Sequence, residues 1–271
     1  IFAIQSALAA VLADYGVRPL GALGHSVGEV AAAECCGLLS RRDALRVMHK
    51  RSQHQETVRG KGRMLVLASN PANVEDLIRQ AGTSEIDIAA YNSATSTTVS
   101  GPADQLDVLA RLARRSRIAS VPLAVDYPFH SRALEVVREG LLRDLGGIAG
   151  QEPQIPFYST VTGQALAPAM LDASYWWHNI RRPVRFAEAV EAALAAHPEA
   201  AFVEIAPRPI LVGPLADILR ASQAQNPILS TLSASDPADR DPIRGVVARM
   251  VVNGVRHEQR AVFGEAPAAV E

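Results

Sequence analysis

The sequence predicts an α/β fold, and three observations carry that prediction. Helical and strand patterns alternate along the 271 residues: residues 1–15 have apolar residues at helical spacing, and residues 20–23 form a short apolar strand candidate. A G-x-S-x-G motif follows at residues 24–28 and leads into an alanine-rich helix pattern. The composition is 48% hydrophobic and 20% charged, which is typical of a globular domain with a sizeable core.

The motif predicts a nucleophile elbow, in which a serine lies at a sharp turn from strand to helix. Gly24 and Gly28 are expected to remove Cβ atoms that would clash at this turn. The N–H of Val27 is the expected first donor to an oxyanion, since the following helix directs its free N–H groups there. We therefore predict an α/β-hydrolase-like core with a short parallel sheet and Ser26 as nucleophile. A glycine-rich turn with an exposed serine is the alternative.

A second pattern predicts a small inserted subdomain. Its order is strand, helix, two strands, helix, strand, which is that of a ferredoxin-like βαββαβ unit. We place this subdomain at residues 62–126, inserted into a core formed by residues 1–61 and 127–255. Residues 256–271 are expected to be a linker or tail. The chain starts in mid-pattern without Met, so we expect it to be a piece of something longer.

The individual elements of the insert are predicted from residue types and spacing. Its strands are expected at 64–68, 86–90, 97–100 and 118–125, and its helices at 71–81 and 103–116. In the core, the remaining helices are expected at 41–58, 132–146, 184–196, 210–223 and 242–253, and the strands at 153–160 and 201–205.

Charge and cysteine content argue against several classes of function. The net charge is −1 and only 5% of residues are aromatic, so neither nucleic acid nor an anionic membrane is an expected partner. No apolar run approaches the roughly 20 residues that span a bilayer. Cys35 and Cys36 are adjacent, so they cannot join distant segments, and no spacing suggests a metal site. A reducing cytoplasm is the expected compartment.

A catalytic serine needs a base, and the chain has seven histidines. His25 adjoins the serine, and its side chain is expected to point away from the hydroxyl. His130 lies in VDYPFHS, where a strand pattern breaks at Pro128 beside the hinge between the two predicted subdomains. A cleft is expected there, which favours His130 as the base. A loop or capping histidine is the alternative reading of the same position.

At this point the motifs resemble a known family. GHSVGEVAAAECCGLLS resembles the active-site segment of the malonyl-CoA:acyl carrier protein transacylases, and most closely that of acyltransferase domains from modular type I polyketide synthases. Further similar segments follow in order across nearly the whole chain: MHKRSQHQ (48–55), GKGRMLVLA (60–68), AAYNSATSTTVSG (89–101), DYPFHS (126–131), YWWHNIRRPVRF (175–186) and FVEIAPRPIL (202–211).

The resemblance implies acyl transfer in two half-reactions. Ser26 would attack an acyl-CoA thioester with His130 as base, and a phosphopantetheine thiol of an acyl carrier protein would then take the acyl group. A backbone carbonyl at or near Asn179 would orient His130, and Arg51 would bind the free carboxylate of a malonyl-type unit. No bound cofactor or metal is implied. The implied partners are the carrier protein and the neighbouring ketosynthase and linker domains of a polyketide synthase.

The resemblance also bears on the acyl group. In such domains Phe before the catalytic histidine accompanies malonyl and Ser accompanies methylmalonyl, so Phe129 favours malonyl, as does Val27. Tyr127 followed by proline departs from the malonyl pattern. His25 and Asn92 are further implied substrate-binding residues. The family's GQGSQ motif is not among these residues, and Arg208 stands where many relatives have histidine.

Two other classes of function stay open on the sequence. A serine hydrolase with the same elbow would use a late histidine, His257, with Asp236 or Asp241 as its acid. A non-catalytic docking domain of a megasynthase is the other.

The densest basic cluster comprises Arg111, Arg114, Arg115 and Arg117. This cluster is either a surface for an acidic carrier protein or, more simply, a solvated helix face.

Overall fold

The computed structural model describes residues 1–232, 241–255 and 257–264, in which helices and strands alternate. Its α-helices are α1 (Phe2–Asp14), α2 (Gly28–Cys35), α3 (Arg41–Glu56), α4 (Pro71–Ala81), α5 (Ala103–Arg115), α6 (Arg138–Asp144), α7 (Ala173–Arg181), α8 (Phe186–Ala196), α9 (Val212–Ala221), α10 (Pro242–Val252) and α11 (Gln259–Phe263). Its strands are β1 (Ala22–Leu23), β2 (Arg63–Leu67), β3 (Asp87–Ser93), β4 (Ser96–Gly101), β5 (Ser120–Pro122), β6 (Phe157–Ser159), β7 (Gln164–Ala165), β8 (Phe202–Glu204) and β9 (Ile228–Ser230).

Strands β2 to β5 form the predicted ferredoxin-like unit. They make one four-stranded sheet in the order β3-β4-β2-β5, and every neighbouring pair is antiparallel. Helices α4 and α5 contribute apolar side chains that pack against this sheet, around Leu67, Val99 and Leu109. The fold class predicted for this segment is therefore confirmed, while the exact limits of the subdomain stay a prediction.

Local sequence signals explain why α4 matches its predicted range. Asn70 precedes the helix, and its side chain accepts a hydrogen bond from the N–H of Asn73. Pro71 occupies the first turn, where its missing N–H is not needed. Gly82 follows the helix in a left-handed conformation (φ 64°). Start and stop signals thus agree at both ends.

The predicted parallel sheet of the core is present in two pieces. Strand β1 pairs in parallel with β6, with Ala22 opposite Phe157, and β7 extends this sheet antiparallel to β6. Strands β8 and β9 form a separate parallel pair. Side chains of α2, α3, α6 and α7 pack around the first sheet, and Trp176 and Phe157 are among the largest fully buried ones. The core around the strand that leads into the elbow is therefore densely packed.

Some elements differ from the sequence-based expectation. The helix expected at 132–146 begins as a 3-10 segment (Arg132–Val137), and α7 and β9 were not predicted. The expected tail contains α11, and the N–H of Glu258 donates to the carbonyl of Tyr15 at 3.2 Å. None of the helices in the described ranges combines the length and the apolar character needed to span a bilayer.

Candidate active site

The turn between β1 and α2 is a strained elbow with Ser26 at its apex. Ser26 has a φ of 52°, a left-handed conformation that is uncommon for a residue with a side chain. A Cβ on Gly24 would lie 2.2 Å from the carbonyl carbon of Gly28, so only glycine fits there. A Cβ on Gly28 would have Gln5 Nε2 as its nearest neighbour, at 3.9 Å. The expected clash is therefore right for Gly24 and wrong for Gly28.

The Ser26 hydroxyl lies beside His130. Ser26 Oγ is 2.7 Å from His130 Nε2, and His130 Nδ1 is 2.9 Å from the carbonyl oxygen of Arg182. A carbonyl can only accept, so Nδ1 carries the proton and Nε2 accepts from the Ser26 hydroxyl. This is the arrangement of a nucleophile with its general base.

The carbonyl that orients His130 belongs to Arg182, which corrects the expectation of a carbonyl at or near Asn179. Arg182 follows the last residue of α7 and has extended backbone angles (φ −80°, ψ 158°). Pro183 explains this, because a proline disfavours helical angles at the residue before it. The helix therefore ends here and leaves the Arg182 carbonyl free to accept from the imidazole. The Arg-Pro step is the signal in the sequence that could have located it.

The environment keeps the imidazole neutral. Burial, followed by the charge of Arg51, lowers the pKa of His130 to about 3, although the bond to the Arg182 carbonyl acts in the opposite direction. His130 is 3% exposed. It is therefore unprotonated at neutral pH and free to accept the serine proton.

Arg51 brings a buried positive charge to the same hydroxyl. It extends from α3, and its Nη2 donates to Ser26 Oγ at 2.9 Å. Its Nε is buried without a hydrogen-bond partner, and within the described ranges no carboxylate lies at ion-pair distance from it. Burial lowers the pKa of Arg51 to about 10, which still leaves it charged at neutral pH. The site thus holds a guanidinium with capacity for an anion.

Asn179 lies below the elbow rather than against His130. Its Nδ2 donates to the Ser26 carbonyl at 3.2 Å and to Glu29 Oε2 at 2.7 Å. Glu29 also accepts from Tyr175 Oη at 2.9 Å and from the N–H of Thr160. The sequence reasoning missed this network, although Glu29 lies in the first turn of the helix that follows Ser26.

His25 and Asn92 contact each other. His25 Nε2 donates to Asn92 Oδ1 at 2.9 Å, and Asn92 Nδ2 donates to Thr98 Oγ1 at 2.9 Å. The His25 ring also packs against Phe186, with ring centres 5.4 Å apart. His25 thus joins the elbow to the small sheet through Asn92.

Tyr127 and Phe129 form a stacked pair just before His130. Their ring centres are 4.8 Å apart and their planes differ by 8°. Tyr127 Oη donates to Glu56 Oε2 at 2.7 Å, and the Arg59 guanidinium lies 5.2 Å from the centre of the Tyr127 ring. The end of α3 thereby fixes the aromatic ring on which Phe129 rests.

The N–H of Val27 has no hydrogen-bond acceptor in the part of the chain that the structure describes. It directly follows Ser26 and precedes the first turn of α2. An unpaired N–H at this position can donate to an oxyanion formed on the serine ester.

The sequence profile of the acyl transferase domain matches residues 1–256. The chain belongs to the acyl transferase domain family. It is 40% identical over 235 residues to the polyketide synthase GfsB of Streptomyces halstedii, covering 86% of this chain and 4% of that protein. It is 36% identical over 267 residues to the erythronolide synthase EryA3 of Saccharopolyspora erythraea, covering 98% of this chain and 8% of that protein. The chain therefore spans a small fraction of these curated relatives.

Solved structures of polyketide synthase acyltransferases are similar to this acyltransferase domain. The module 8 domain of the salinomycin synthase matches with a TM-score of 0.90 and 33% identity, covering 96% of this chain and 61% of that one. A loading acyltransferase of the avermectin synthase matches with a TM-score of 0.86 and 32% identity, covering 92% of this chain and 78% of that one. The hydrolase-like core with a ferredoxin-like subdomain is thereby confirmed.

His257 and Asp241, which the sequence offered for a hydrolase mechanism, make contacts elsewhere in the acyltransferase domain. His257 Nδ1 is 3.0 Å from the Val255 carbonyl and its ring faces Phe263, while Asp241 caps α10. Asp236 lies outside the described residues. The imidazole at hydrogen-bond distance from Ser26 Oγ is that of His130 and not that of His257. The basic cluster consists of Arg111, Arg114, Arg115 and Arg117. These arginines are exposed and make no ion pair within the described ranges. Arg208 is also exposed.

A cleft of about 610 Å³ lies between β3 and the residues that follow α7. Tyr91, Ser93, Arg182 and Arg185 are among the residues that line it. Asn92, between Tyr91 and Ser93, contacts His25 at the site. In the described part of the chain, no group of three or more His, Cys, Asp or Glu side chains is placed to hold a metal ion.

Proposed function

We propose that this acyltransferase domain moves a malonyl-type unit from CoA to an acyl carrier protein, through an ester on Ser26. The position of the hydroxyl carries the proposal: Ser26 Oγ lies 2.7 Å from a neutral imidazole and 2.9 Å from a buried guanidinium. A base this close suits acyl transfer, and a buried cation without a carboxylate partner suits a donor that brings its own.

In the first half-reaction, the Ser26 hydroxyl gives its proton to His130 Nε2 while its oxygen attacks the thioester carbonyl. The Val27 N–H stabilises the oxyanion of the tetrahedral intermediate. The intermediate collapses, the carbon–sulfur bond breaks, and the CoA thiolate takes the proton from His130. The Arg182 carbonyl holds the imidazole in one orientation throughout.

The second half-reaction reverses these roles. A phosphopantetheine thiol gives its proton to His130, and the thiolate attacks the Ser26 ester. The serine oxygen leaves and takes the proton back, so the enzyme is regenerated. The relatives named above are polyketide synthases, which supports a carrier protein and a neighbouring ketosynthase as partners. We place this reaction in the cytoplasm.

The same geometry supports malonyl over methylmalonyl. Phe129 immediately precedes His130, and its ring stacks on that of Tyr127 with the ring centres 4.8 Å apart, which favours the orientation seen here. A bulky ring in this place restricts the room for an α-methyl group. Such a methyl is worth only about 1–3 kcal/mol of discrimination, so we expect a preference and not an absolute choice.

Intact-protein mass spectrometry after brief incubation with malonyl-, methylmalonyl- or acetyl-CoA tests the proposal. We expect a malonyl adduct that disappears in Ser26→Ala and forms about 10²–10⁴-fold more slowly in His130→Ala. Arg51→Ala should reduce the malonyl adduct far more than the acetyl adduct, because only malonyl carries the second carboxylate. Acylation that survives His130→Ala but is lost in His257→Ala would instead indicate a hydrolase, and no adduct from any donor would indicate a docking role.

A further inference from the structure

Glu29 is a buried carboxylate that the reaction above does not use. It lies in the first turn of α2, three residues after Ser26, and is 0% exposed. One carboxylate oxygen accepts from the N–H of Thr160, and the other accepts from Tyr175 Oη at 2.9 Å and Asn179 Nδ2 at 2.7 Å. A buried charge without partners is costly, so three donors converging on one carboxylate indicate a site built for that carboxylate.

The partners of Glu29 also hold the backbone of the elbow. Asn179 Nδ2 donates to the Ser26 carbonyl at 3.2 Å. Thr160 Oγ1 donates to the Gly24 carbonyl at 2.9 Å. The Gly24–His25 and Ser26–Val27 peptide groups are therefore held by two residues that are themselves held by Glu29.

The same partners enclose the segment that orients His130. Asn179 lies three residues before Arg182, whose carbonyl is 2.9 Å from His130 Nδ1. Arg185 lies three residues after Arg182, and its N–H donates to the Thr160 carbonyl at 2.7 Å. Both ends of the segment 179–185 are thus connected to Glu29, one through Asn179 and the other through Thr160.

We propose that Glu29 is a positioning residue that holds Ser26 Oγ and the Arg182 carbonyl on the two sides of the His130 imidazole. Without its carboxylate, the elbow and the segment 179–185 lose their common support. The two contacts of the imidazole are then no longer maintained together. This inference depends on the proposed function only for the identity of the acyl donor. The contacts from which it is argued are those of Ser26 and His130.

The charge of Glu29 gives this role a pH dependence. Burial raises the pKa of Glu29 to about 7, although its hydrogen bonds with Thr160, Tyr175 and Asn179 oppose the rise. The other ionisable groups that act on it keep their state near neutrality: Arg51 remains charged, and burial holds the pKa of Tyr175 well above its usual value. Protonation of Glu29 removes an acceptor from a site with three donors, so the reactivity of Ser26 should fall as the pH drops through about 7.

The fall in rate on the acid side of this profile (its acid limb) distinguishes protonation of Glu29 from protonation of His130. The pKa of His130 is lowered to about 3, so protonation of His130 does not reduce the rate near neutrality. A fluorophosphonate reports on Ser26 directly, because it reacts with an activated serine and carries neither CoA nor a carboxylate. Its rate of addition to the full chain, followed by intact mass between pH 5 and 9, is the measurement.

Glu29→Gln tests the positioning role. An amide offers one oxygen and two N–H groups, so at least one of the three donors is opposed by another donor. We expect phosphonylation to slow by about 10–100-fold at pH 8, and the acid limb near pH 7 to disappear. The matched control is Glu204→Gln, since Glu204 is also buried and accepts from the N–H groups of Ile210 and Leu211. Glu204→Gln should keep both the rate and the limb.

Tyr175→Phe keeps the test decisive if Glu29→Gln does not fold. The Tyr175 hydroxyl lowers the pKa of Glu29, so its loss should move the acid limb to higher pH. A wild-type rate in Glu29→Gln, or a limb unmoved in Tyr175→Phe, would overturn the proposal. Malonyl-CoA is then tested separately: a wild-type chain that reacts with the fluorophosphonate but takes no acyl group contradicts the proposed function and leaves the role of Glu29 standing.

Discussion

Ser26 and His130 both have left-handed backbone conformations, with φ of 52° and 58°, but different structures hold them there. At the elbow, the strand, the nucleophile and the helix follow one another within a few residues, and Gly24 makes room for the turn. His130 instead follows the exposed residues 121–126 and depends on contacts from elsewhere in the chain. The turn that carries the nucleophile is thus encoded by neighbouring residues, although Thr160 and Asn179 hold it in place. The position of the base depends on tertiary structure alone.

The contacts around His130 illustrate the second case. Ser131 Oγ donates to the Pro128 carbonyl at 2.7 Å, which closes a tight turn around the histidine. Arg132 donates through its backbone N–H and its guanidinium to Asp87, at the start of β3. With the Arg182 carbonyl on the other side, the imidazole is held between the small sheet and the end of α7.

The elbow should therefore break at a single glycine. In Gly24→Ala the new methyl would meet backbone atoms 2.2–2.3 Å away, so the turn must open. We expect loss of Ser26 acylation and a decrease of about 3 kcal/mol or more in the free energy of unfolding. Intact mass spectrometry and urea denaturation measure the two effects.

Gly28→Ala is the matched control for this change. The nearest atom to the new Cβ is Gln5 Nε2 at 3.9 Å, and alanine favours a helix by about 1 kcal/mol over glycine. Acylation within about threefold of wild type is expected. Equal losses in the two variants would show that the helix start, and not the close approach at Gly24, limits the elbow.

Loss of one contact of the segment that carries His130 should have a smaller effect on stability and acylation. Burial acts to raise the pKa of Asp87, but its hydrogen bonds from Arg132 outweigh this and keep the pKa below its usual value. Asp87→Asn should lower the free energy of unfolding by about 1–2 kcal/mol at pH 7 and slow acylation by about three- to tenfold. Thermal or urea denaturation across pH, with acylation rates, measures this.

The sign of the pH effect provides a check. A lowered pKa stabilises the folded state above the unfolded value of about 3.9, and this contribution is lost as the pH falls through the folded value. The difference between wild type and Asp87→Asn should therefore vanish in strong acid. Asp76→Asn is the control, because Asp76 pairs with Arg79 on an exposed face of α4 and should change stability by less than about 0.5 kcal/mol. A difference that persists in strong acid would contradict the assignment.

The same division explains what the sequence could predict. Helix α4 and the elbow are encoded by neighbouring residues, such as Asn70, Pro71 and Gly24, so their positions follow from local rules. The carbonyl that holds His130 was expected at or near Asn179 and belongs to Arg182, because a backbone carbonyl carries no residue-specific signal. The partners of Glu29 were missed for a related reason: Thr160 binds it through a backbone N–H, across 131 residues of chain.

The smallest expected effect concerns the aromatic pair before His130. Tyr127→Phe removes the bond to Glu56 but retains the ring that supports Phe129 at 4.8 Å. We expect less than about a threefold change in the ratio of malonyl to methylmalonyl adducts when the two CoA esters compete. Tyr127→Ala, which removes the ring, should shift the ratio further towards methylmalonyl. The contrary outcome is that Tyr127→Phe has as large an effect as Tyr127→Ala. In that case the hydrogen bond that the Tyr127 hydroxyl donates to Glu56, and not the stacked ring, positions Phe129. The residues around His130 then depend on α3 as well as on β3 and α7.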